Sequence, residues 1–278
     1  MAHLPARELA QSRLARIIRR ATRDQHRRLT EAMGWPPDVQ RIPPQLWLDI
    51  EREQAEASRP ALAMIFLTAG AALAAILNRA TGHETPPEVL GQEALRYGQQ
   101  RSLALARDMA DTTRQRLTDA AAEVRAAPAA KTEPEVRREF KQRVDKVFSP
   151  ERAISVGKTD TSFAARGGGN LVIGRFEGDN PGKSILKIWT HPTAILRGSH
   201  PCAVCAPMIG LSQNEWAAVN PALVEGPPAH PSCDCIVAEL LIDRDEAERL
   251  PMTPPRGWDR PYRDQFQRIR DSRGPREQ

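Results

Sequence analysis

All four cysteines of this 278-residue chain lie between residues 202 and 235, so this stretch must fold back on itself around one local site. Cys202 and Cys205 form a Cys-x-x-Cys motif, and Cys233 and Cys235 follow His230 in a His-Pro-x-Cys-x-Cys motif. Zinc prefers four tetrahedral ligands drawn from thiolate and imidazole. We therefore predict a zinc site formed by Cys202, Cys205, His230 and Cys235, with Cys233 as the substitute ligand.

Two other interpretations of the cysteines stay open. The four could form two disulfides, particularly if the mature protein functions outside the cell. Cys202 and Cys205 could also be a redox pair, although their motif does not begin a helix after a βαβ pattern. The chain shows no secretory signal, because no apolar segment closely follows its basic N-terminus, and this favours reduced, metal-binding cysteines.

A zinc ion with four protein ligands has no open position, so such a site is structural. Catalysis would require an open position and a neighbouring base. Glu215 and Glu225 lie between the cysteine motifs, and His191 and His200 precede them, but the sequence places none of these beside the metal. We therefore predict no catalytic residues and no small-molecule substrate.

Hydrophobic periodicity predicts a chain that is helical over its first half. The predicted helices cover residues 6–32, 45–78, 88–126, 135–148 and a segment that starts at Ser149-Pro150 and ends near 167–169. The pattern then changes to period two, which predicts a β-hairpin of strands 170–176 and 185–190, followed by a strand at 236–242. The predicted fold class is α+β: a helical N-terminal half followed by a small mixed α/β domain with a β-hairpin and a Cys/His-stapled loop.

Proline-rich and charged stretches suggest four regions. We predict a basic helical arm with a proline-rich linker (1–45), a long-helix region (46–134), a domain that carries the Cys/His site (135–242) and a charged tail rich in proline and arginine (243–278).

Residues 61–77 carry no charge. A transmembrane helix needs about 20 apolar residues, so this run is at the lower limit of the range. It is rich in alanine and has Pro60 and Gly70 in or beside it. We predict a helix buried by neighbouring helices or subunits, with membrane insertion as the alternative.

The positive charge of the chain is concentrated at its two ends. Residues 1–32 hold eight arginines against three acidic residues, and residues 256–276 hold seven against three. Basic arms of this kind contact phosphates or acidic protein surfaces, although they can also be solvated helix faces. The predicted contacts to double-stranded DNA or to a partner are Arg13, Arg16, Arg19, Arg20, Arg23, Arg27 and Arg28.

Several strings of the C-terminal half together resemble the MuF-type phage head-morphogenesis family. They are Lys187-Ile188-Trp189-Thr190, the Cys202–Cys205 motif and Pro227-Pro228-Ala229-His230-Pro231-Ser232-Cys233-Asp234-Cys235. Residues 152–165 resemble the family segment before the hairpin, and the likeness covers roughly residues 100–242. The chain departs from the family pattern at Asp160, where Glu is usual, at Asp234, where a basic residue is usual, and at 209–211, where the family commonly has Gly-Lys.

The resemblance implies a minor head protein of a tailed phage or phage-like particle, acting in head morphogenesis, DNA packaging or genome delivery. The implied partners are the portal protein, the major capsid protein and packaged double-stranded DNA, bound nonspecifically. The implied location is the virion head, with the host cytoplasm during assembly. The competing hypotheses are a zinc-dependent nuclease or toxin-like effector, and a nonspecific DNA-binding protein.

Overall fold

The computed structural model describes residues 4–126, 131–190, 203–219, 223, 226–230, 233 and 235–249. Its helices are α1 (Leu4–Met33), α2 (Pro44–Thr81), α3 (Pro87–Arg125), α4 (Glu133–Val147), α5 (Pro150–Asp179), α6 (Gln213–Val219) and α7 (Arg244–Arg249). Its strands are β1 (Lys183–Thr190) and β2 (Ile236–Asp243), and short 3-10 turns cover Val39–Arg41 and Ala206–Met208. This order confirms the predicted fold class, with long helices first and a small mixed part afterwards.

The starts of α4 and α5 follow from local sequence chemistry. The Glu135 carboxylate accepts hydrogen bonds from the backbone N–H and the hydroxyl of Thr132, both at 2.8 Å, and these bonds hold the pKa of Glu135 below its usual value. The Ser149 hydroxyl accepts the backbone N–H of Arg152 at 3.3 Å, directly before Pro150 opens α5. The predicted helix start at Ser149-Pro150 is therefore confirmed.

The chain divides into two compact units. Unit 1 comprises residues 1–76 and 86–169, and unit 2 comprises residues 77–85 and 170–278, so the division falls within α2 and within α5. Unit 1 has two groups of buried apolar side chains. One lies around Trp47 and Phe140, and the other around Leu62 and Leu105.

Helix α2 contains the charge-free run and continues through Pro60. It is long and apolar enough to cross a membrane by length and composition, and 39% of its most apolar window is buried inside the chain. Leu62 and Phe66 are buried, whereas Met64 is 59% exposed. One side of the run thus packs against protein within the chain, and the other side is open to a partner or to lipid.

Helix α5 corrects the sequence prediction. It does not end near residues 167–169, and residues 170–176 are helical rather than a strand. Val172, Ile173 and Phe176 are buried at a helical spacing. The pattern misled because apolar residues at short separations satisfy both periods over so few positions.

The glycines of α5 serve a close approach of two helices rather than a helix end. A Cβ added to Gly168 would lie 2.1 Å from the Phe66 carbonyl oxygen and 3.0 Å from the Gly70 nitrogen, both in α2. No side chain fits in that space, so α5 needs glycine where it packs against α2.

A buried ion pair joins α3 to α5 within unit 1. The Nε and Nη2 atoms of Arg101 both lie 2.7 Å from Oδ1 of Asp160, whose side chain is only 4% exposed. Burial raises the pKa of Asp160, and the charge and hydrogen bond of Arg101 offset only part of this rise. Asp160 thus holds two helices together.

Replacing Arg101 with methionine is expected to lower the free energy of unfolding by about 2 kcal/mol, because it leaves the Asp160 carboxyl buried without its partner. This value is reduced because Arg101 is partly exposed. Urea unfolding of the full chain measures the change. As a control, Arg96→Met removes an exposed pair with Glu93 and should change stability by less than about 0.5 kcal/mol. Equal effects of the two substitutions would contradict the role assigned to Arg101.

Unit 2 is built on a two-stranded antiparallel sheet. The register runs from Lys183 opposite Asp243 to Thr190 opposite Ile236. The strands at 185–190 and 236–242 are confirmed, but the predicted hairpin is wrong, because the partner of β1 is β2 rather than residues 170–176. Because β2 pairs with β1 from far along the chain, its first residue, Ile236, lies opposite Thr190 at the end of β1.

Candidate metal centre

Two chain segments bring cysteines to the same end of the sheet. Cys205 directly precedes the 3-10 turn Ala206–Met208, and Cys235 directly precedes β2. The segment after Cys205 is fastened to β1, since the Trp189 N–H donates to the Leu211 carbonyl at 2.9 Å and the Gly210 N–H donates to the Trp189 carbonyl at 2.8 Å. Gly210 has a φ of +84°, a conformation that side chains rarely adopt, so glycine permits this return.

Three cysteines converge in this place. Cys205, Cys233 and Cys235 are 1%, 1% and 2% exposed, and their sulfur atoms all lie within 4.8 Å of one another. The sulfurs of Cys205 and Cys233 are 3.5 Å apart, far longer than a disulfide bond of about 2.05 Å. These three residues are therefore free thiols, close enough to bind one metal ion.

His230 lies beside the three sulfurs. Its Nε2 atom is 3.3 Å from the Cys205 sulfur. The Cys233 N–H donates to the His230 carbonyl at 3.2 Å, which ties the histidine to the second cysteine segment. One imidazole nitrogen thus lies at the edge of the sulfur cluster.

Large apolar side chains surround the cluster. Trp189 and Trp216 are completely buried and meet edge to face, with ring centroids 5.4 Å apart. The Trp216 indole N–H donates to the Leu223 carbonyl at 3.0 Å, and Met208 and Leu211 complete the packing. The sulfur atoms therefore lie in a dry environment in which an unpaired charge is unfavourable.

The three thiols divide their protons unequally. Hydrogen bonds from Cys205 and then Cys235 lower the pKa of Cys233 to about 2, whereas the contacts with Cys233 and then Cys235, together with burial, raise the pKa of Cys205. The contact with Cys205 lowers the pKa of Cys235, but the contact with Cys233 and burial outweigh it and raise the value to about 12. Binding a metal ion through these sulfurs as thiolates would therefore release protons from the cluster.

The donor set fits zinc. Zinc–sulfur bonds of about 2.3 Å in a tetrahedron place sulfur atoms about 3.8 Å apart, close to the separations found here. Thiolate and imidazole are also the ligands that zinc prefers in structural sites. With three sulfurs and one further ligand the coordination is complete, and the arrangement is suited to holding chain segments together.

The structure places three of the predicted ligands and the predicted substitute ligand close together. Cys205 and Cys235 lie together as expected, and His230 lies beside Cys205. Cys233, predicted only as a substitute, is an equal member of the cluster. Cys202 lies outside the described residues, so its part in the site stays a prediction.

The candidate bases of an enzymatic site are mostly outside the described residues, namely His191, His200 and Glu225. Glu215 is described and buried, and its carboxylate accepts the backbone N–H of Ser212 at 2.7 Å, where it caps the start of α6.

Trp216 is part of the site's packing and was not singled out from the sequence. Its position between the two cysteine motifs, in a chain with only five tryptophans, was the available signal.

The predicted arginines of α1 fall into two groups. Arg27 and Arg28 are paired, with Asp24 for both, Glu31 for Arg27 and Glu53 for Arg28. The other five lie on the exposed side of the helix: Arg13, Arg16, Arg19, Arg20 and Arg23. The role of all seven in binding DNA or a partner stays a prediction.

Comparison with protein-family models, with curated proteins and with solved structures found no match to this chain.

Proposed function

We propose that this chain is a minor structural protein of the head of a tailed phage or phage-like particle. A zinc ion held by Cys205, Cys233, Cys235 and one further ligand would stabilise its sheet module. The observation that supports this most directly is that residues from the separate resembling strings converge at one site. Trp189, Cys205, His230 and the two later cysteines all lie at the end of the sheet.

The site itself supports a structural role for the metal. The sulfurs are buried, and His230 or Cys202 would complete four ligands. When bound, zinc would link the turn after β1 to the start of β2, and it would supply the attraction that a small two-stranded sheet lacks. Structural zinc contributes directly to the free energy of folding of such modules.

The same geometry gives less support to a zinc-dependent nuclease or toxin-like effector. Hydrolysis by zinc requires an open coordination position and a base that can reach the bound water. Glu215, the one candidate base in the described part of the chain, is engaged by the Ser212 N–H. We therefore assign no catalytic role to this site.

The proposed partners are the portal protein and the major capsid protein, in the virion head and, during assembly, in the host cytoplasm. Long helices with apolar side chains left exposed suit docking onto another assembly. Leu95 and Leu103 of α3 are 70% and 54% exposed, and Met64 of α2 is 59% exposed.

Co-expression with the portal and major capsid proteins of the same particle tests this proposal. The chain is expected to co-purify with procapsids in a few copies per particle, measured by quantitative mass spectrometry. A Cys233→Ser/Cys235→Ser variant should be incorporated poorly, while Arg249→Gln, an exposed change in the same unit, should be incorporated normally. Absence of the unmodified chain from both procapsids and mature particles would overturn the assignment.

A further inference from the structure

Helix α1 changes its charge character halfway along its length. Between Glu8 and Asp24 the sequence contains five arginines and no acidic residue. After Asp24, acids and arginines alternate and form ion pairs within the helix, such as Arg27 with Asp24 and Glu31. One half of a single helix is thus neutralised by its own sequence, and the other half is not.

The five unneutralised arginines lie on one face of the helix, here called the arginine stripe: Arg13, Arg16, Arg19, Arg20 and Arg23. Their spacing of three and four residues places them side by side over ten residues, about 15 Å of helix. All five are exposed, and none forms an ion pair with another described residue. The pKa of Glu151 is lowered mainly by hydrogen bonds at the start of α5 and to a smaller extent by the charge of Arg19. The side chains of Arg19 and Glu151 form no ion pair.

The opposite face of α1 fixes the direction in which the stripe points. Leu14, Ile18 and Leu29 are completely buried in unit 1. Rotation of the helix would expose these side chains, so the arginines are held outward on a rigid element. Like charges three and four residues apart repel and weaken a helix, by about 0.2–0.5 kcal/mol per pair. A helix that needed only a solvated face could have alternated its charges, as the second half of α1 does.

We propose that the arginine stripe binds the phosphate backbone of double-stranded nucleic acid without sequence preference. Double-stranded DNA carries one charge per about 1.7 Å of axis, so a 15 Å stripe faces roughly nine phosphates. The guanidinium group presents a planar fork of donors that matches phosphate oxygens, and all five cations of the stripe are arginine rather than lysine.

The surroundings of the stripe favour this partner over a protein or a membrane. The exposed surface between Arg13 and Arg23 contains no exposed apolar side chain, whereas protein interfaces have an apolar centre. A membrane-binding helix inserts its apolar face into lipid, but the apolar face of α1 is buried in the core of unit 1. Single-stranded nucleic acid is bound through stacking aromatic side chains, and α1 contains no Phe, Tyr or Trp.

The test uses the full chain and a variant in which the five stripe arginines are changed to glutamine. Binding to a duplex of mixed sequence is measured by fluorescence anisotropy over a range of salt concentrations. Each phosphate contact contributes about −0.9 to the slope of log K against log salt, so the slope should become shallower by about 4.5. Between 50 and 200 mM salt, the affinity of the variant for DNA should therefore fall about 500-fold less than the affinity of the unmodified chain.

A matched control changes five exposed arginines that are already paired with acids, so the change in net charge is identical. These are Arg27, Arg41, Arg52, Arg96 and Arg143. The control should alter the slope by less than about one contact. Circular dichroism should show that both variants fold. If the five-residue variant does not fold, Arg16→Gln/Arg20→Gln should still make the slope shallower by about 1.8.

Polyglutamate and vesicles containing phosphatidylserine serve as the competing polyanions. Tighter binding to duplex DNA than to either supports the proposal. An unchanged slope in the stripe variant, an equal change in the control, or preferential binding to polyglutamate or to vesicles would overturn it.

Discussion

Replacing Cys233 with serine is expected to abolish stoichiometric zinc binding and to unfold the sheet module of unit 2. Cys233 is completely enclosed, and its sulfur lies 3.5 Å from that of Cys205, where both can ligate the same ion. Structural zinc contributes about 10–16 kcal/mol in small metal-dependent domains, so losing one of three clustered thiolates removes several kcal/mol. The measurements are zinc content by mass spectrometry and the near-ultraviolet circular dichroism of the buried Trp189 and Trp216.

Removal of the metal from the unmodified chain should have the same effect. A strong chelator should leave four alkylatable thiols and a loosened tryptophan environment, and added zinc should restore the signal. Comparing Cys202→Ser with His230→Ala identifies the fourth ligand, since the substitution that retains one zinc per chain does not remove a ligand. Full zinc content in Cys233→Ser would contradict the site, and a chain with no metal and no free thiols would favour disulfides.

Replacing Gly168 with valine is expected to destabilise unit 1 by more than about 4 kcal/mol, an exceptional value for one substitution. The new Cβ would lie 2.1 Å from the Phe66 carbonyl oxygen. Backbone atoms of α2 cannot give way as a flexible side chain would, so the two helices must separate and their buried contacts are lost. Thermal and urea unfolding of the full chain measure the loss.

Gly91 provides the matched control. It also lies within a helix, α3, but an added Cβ there meets nothing within 4 Å. Gly91→Ala should therefore stabilise the chain by about 0.5–1 kcal/mol, because alanine loses less conformational freedom in a helix. If Gly168→Val leaves the stability as high as Gly91→Ala does, the close packing of α5 against α2 at Gly168 is contradicted.

Features governed by neighbouring residues were predictable from the sequence. Ser149 and Pro150 predicted the start of α5, and the short spacing of the two cysteine motifs predicted that they form one site. Features that depend on distant residues were not. Glycine at 168 suggests a helix end when read locally, and only the carbonyl of Phe66, far away in the sequence, explains it.

The partner of β1 illustrates the same difficulty. Local alternation favoured a hairpin with residues 170–176, whereas the actual partner lies beyond the cysteine motifs. The roles of Cys233 and Trp216 also depend on this return of the chain, because β2 must lie beside β1 before either residue reaches the cluster. Charge pairing in α1 is intermediate: the lack of acids near Arg16 is visible in the sequence, but the pairing of Arg28 with Glu53 of α2 is not.

The short distance between the sulfurs of Cys205 and Cys233 affects how the protein responds to oxidants. Two thiols 3.5 Å apart are already neighbours for oxidation, and dioxygen or a peroxide can take two electrons and two protons from them to form a disulfide. Zinc itself has no redox chemistry, and thiolates that it binds are protected from this reaction. If the proposed zinc site is correct, a chain that bound zinc first would keep its ligands, whereas one oxidised first would lose two of them until a reductant restored the thiols.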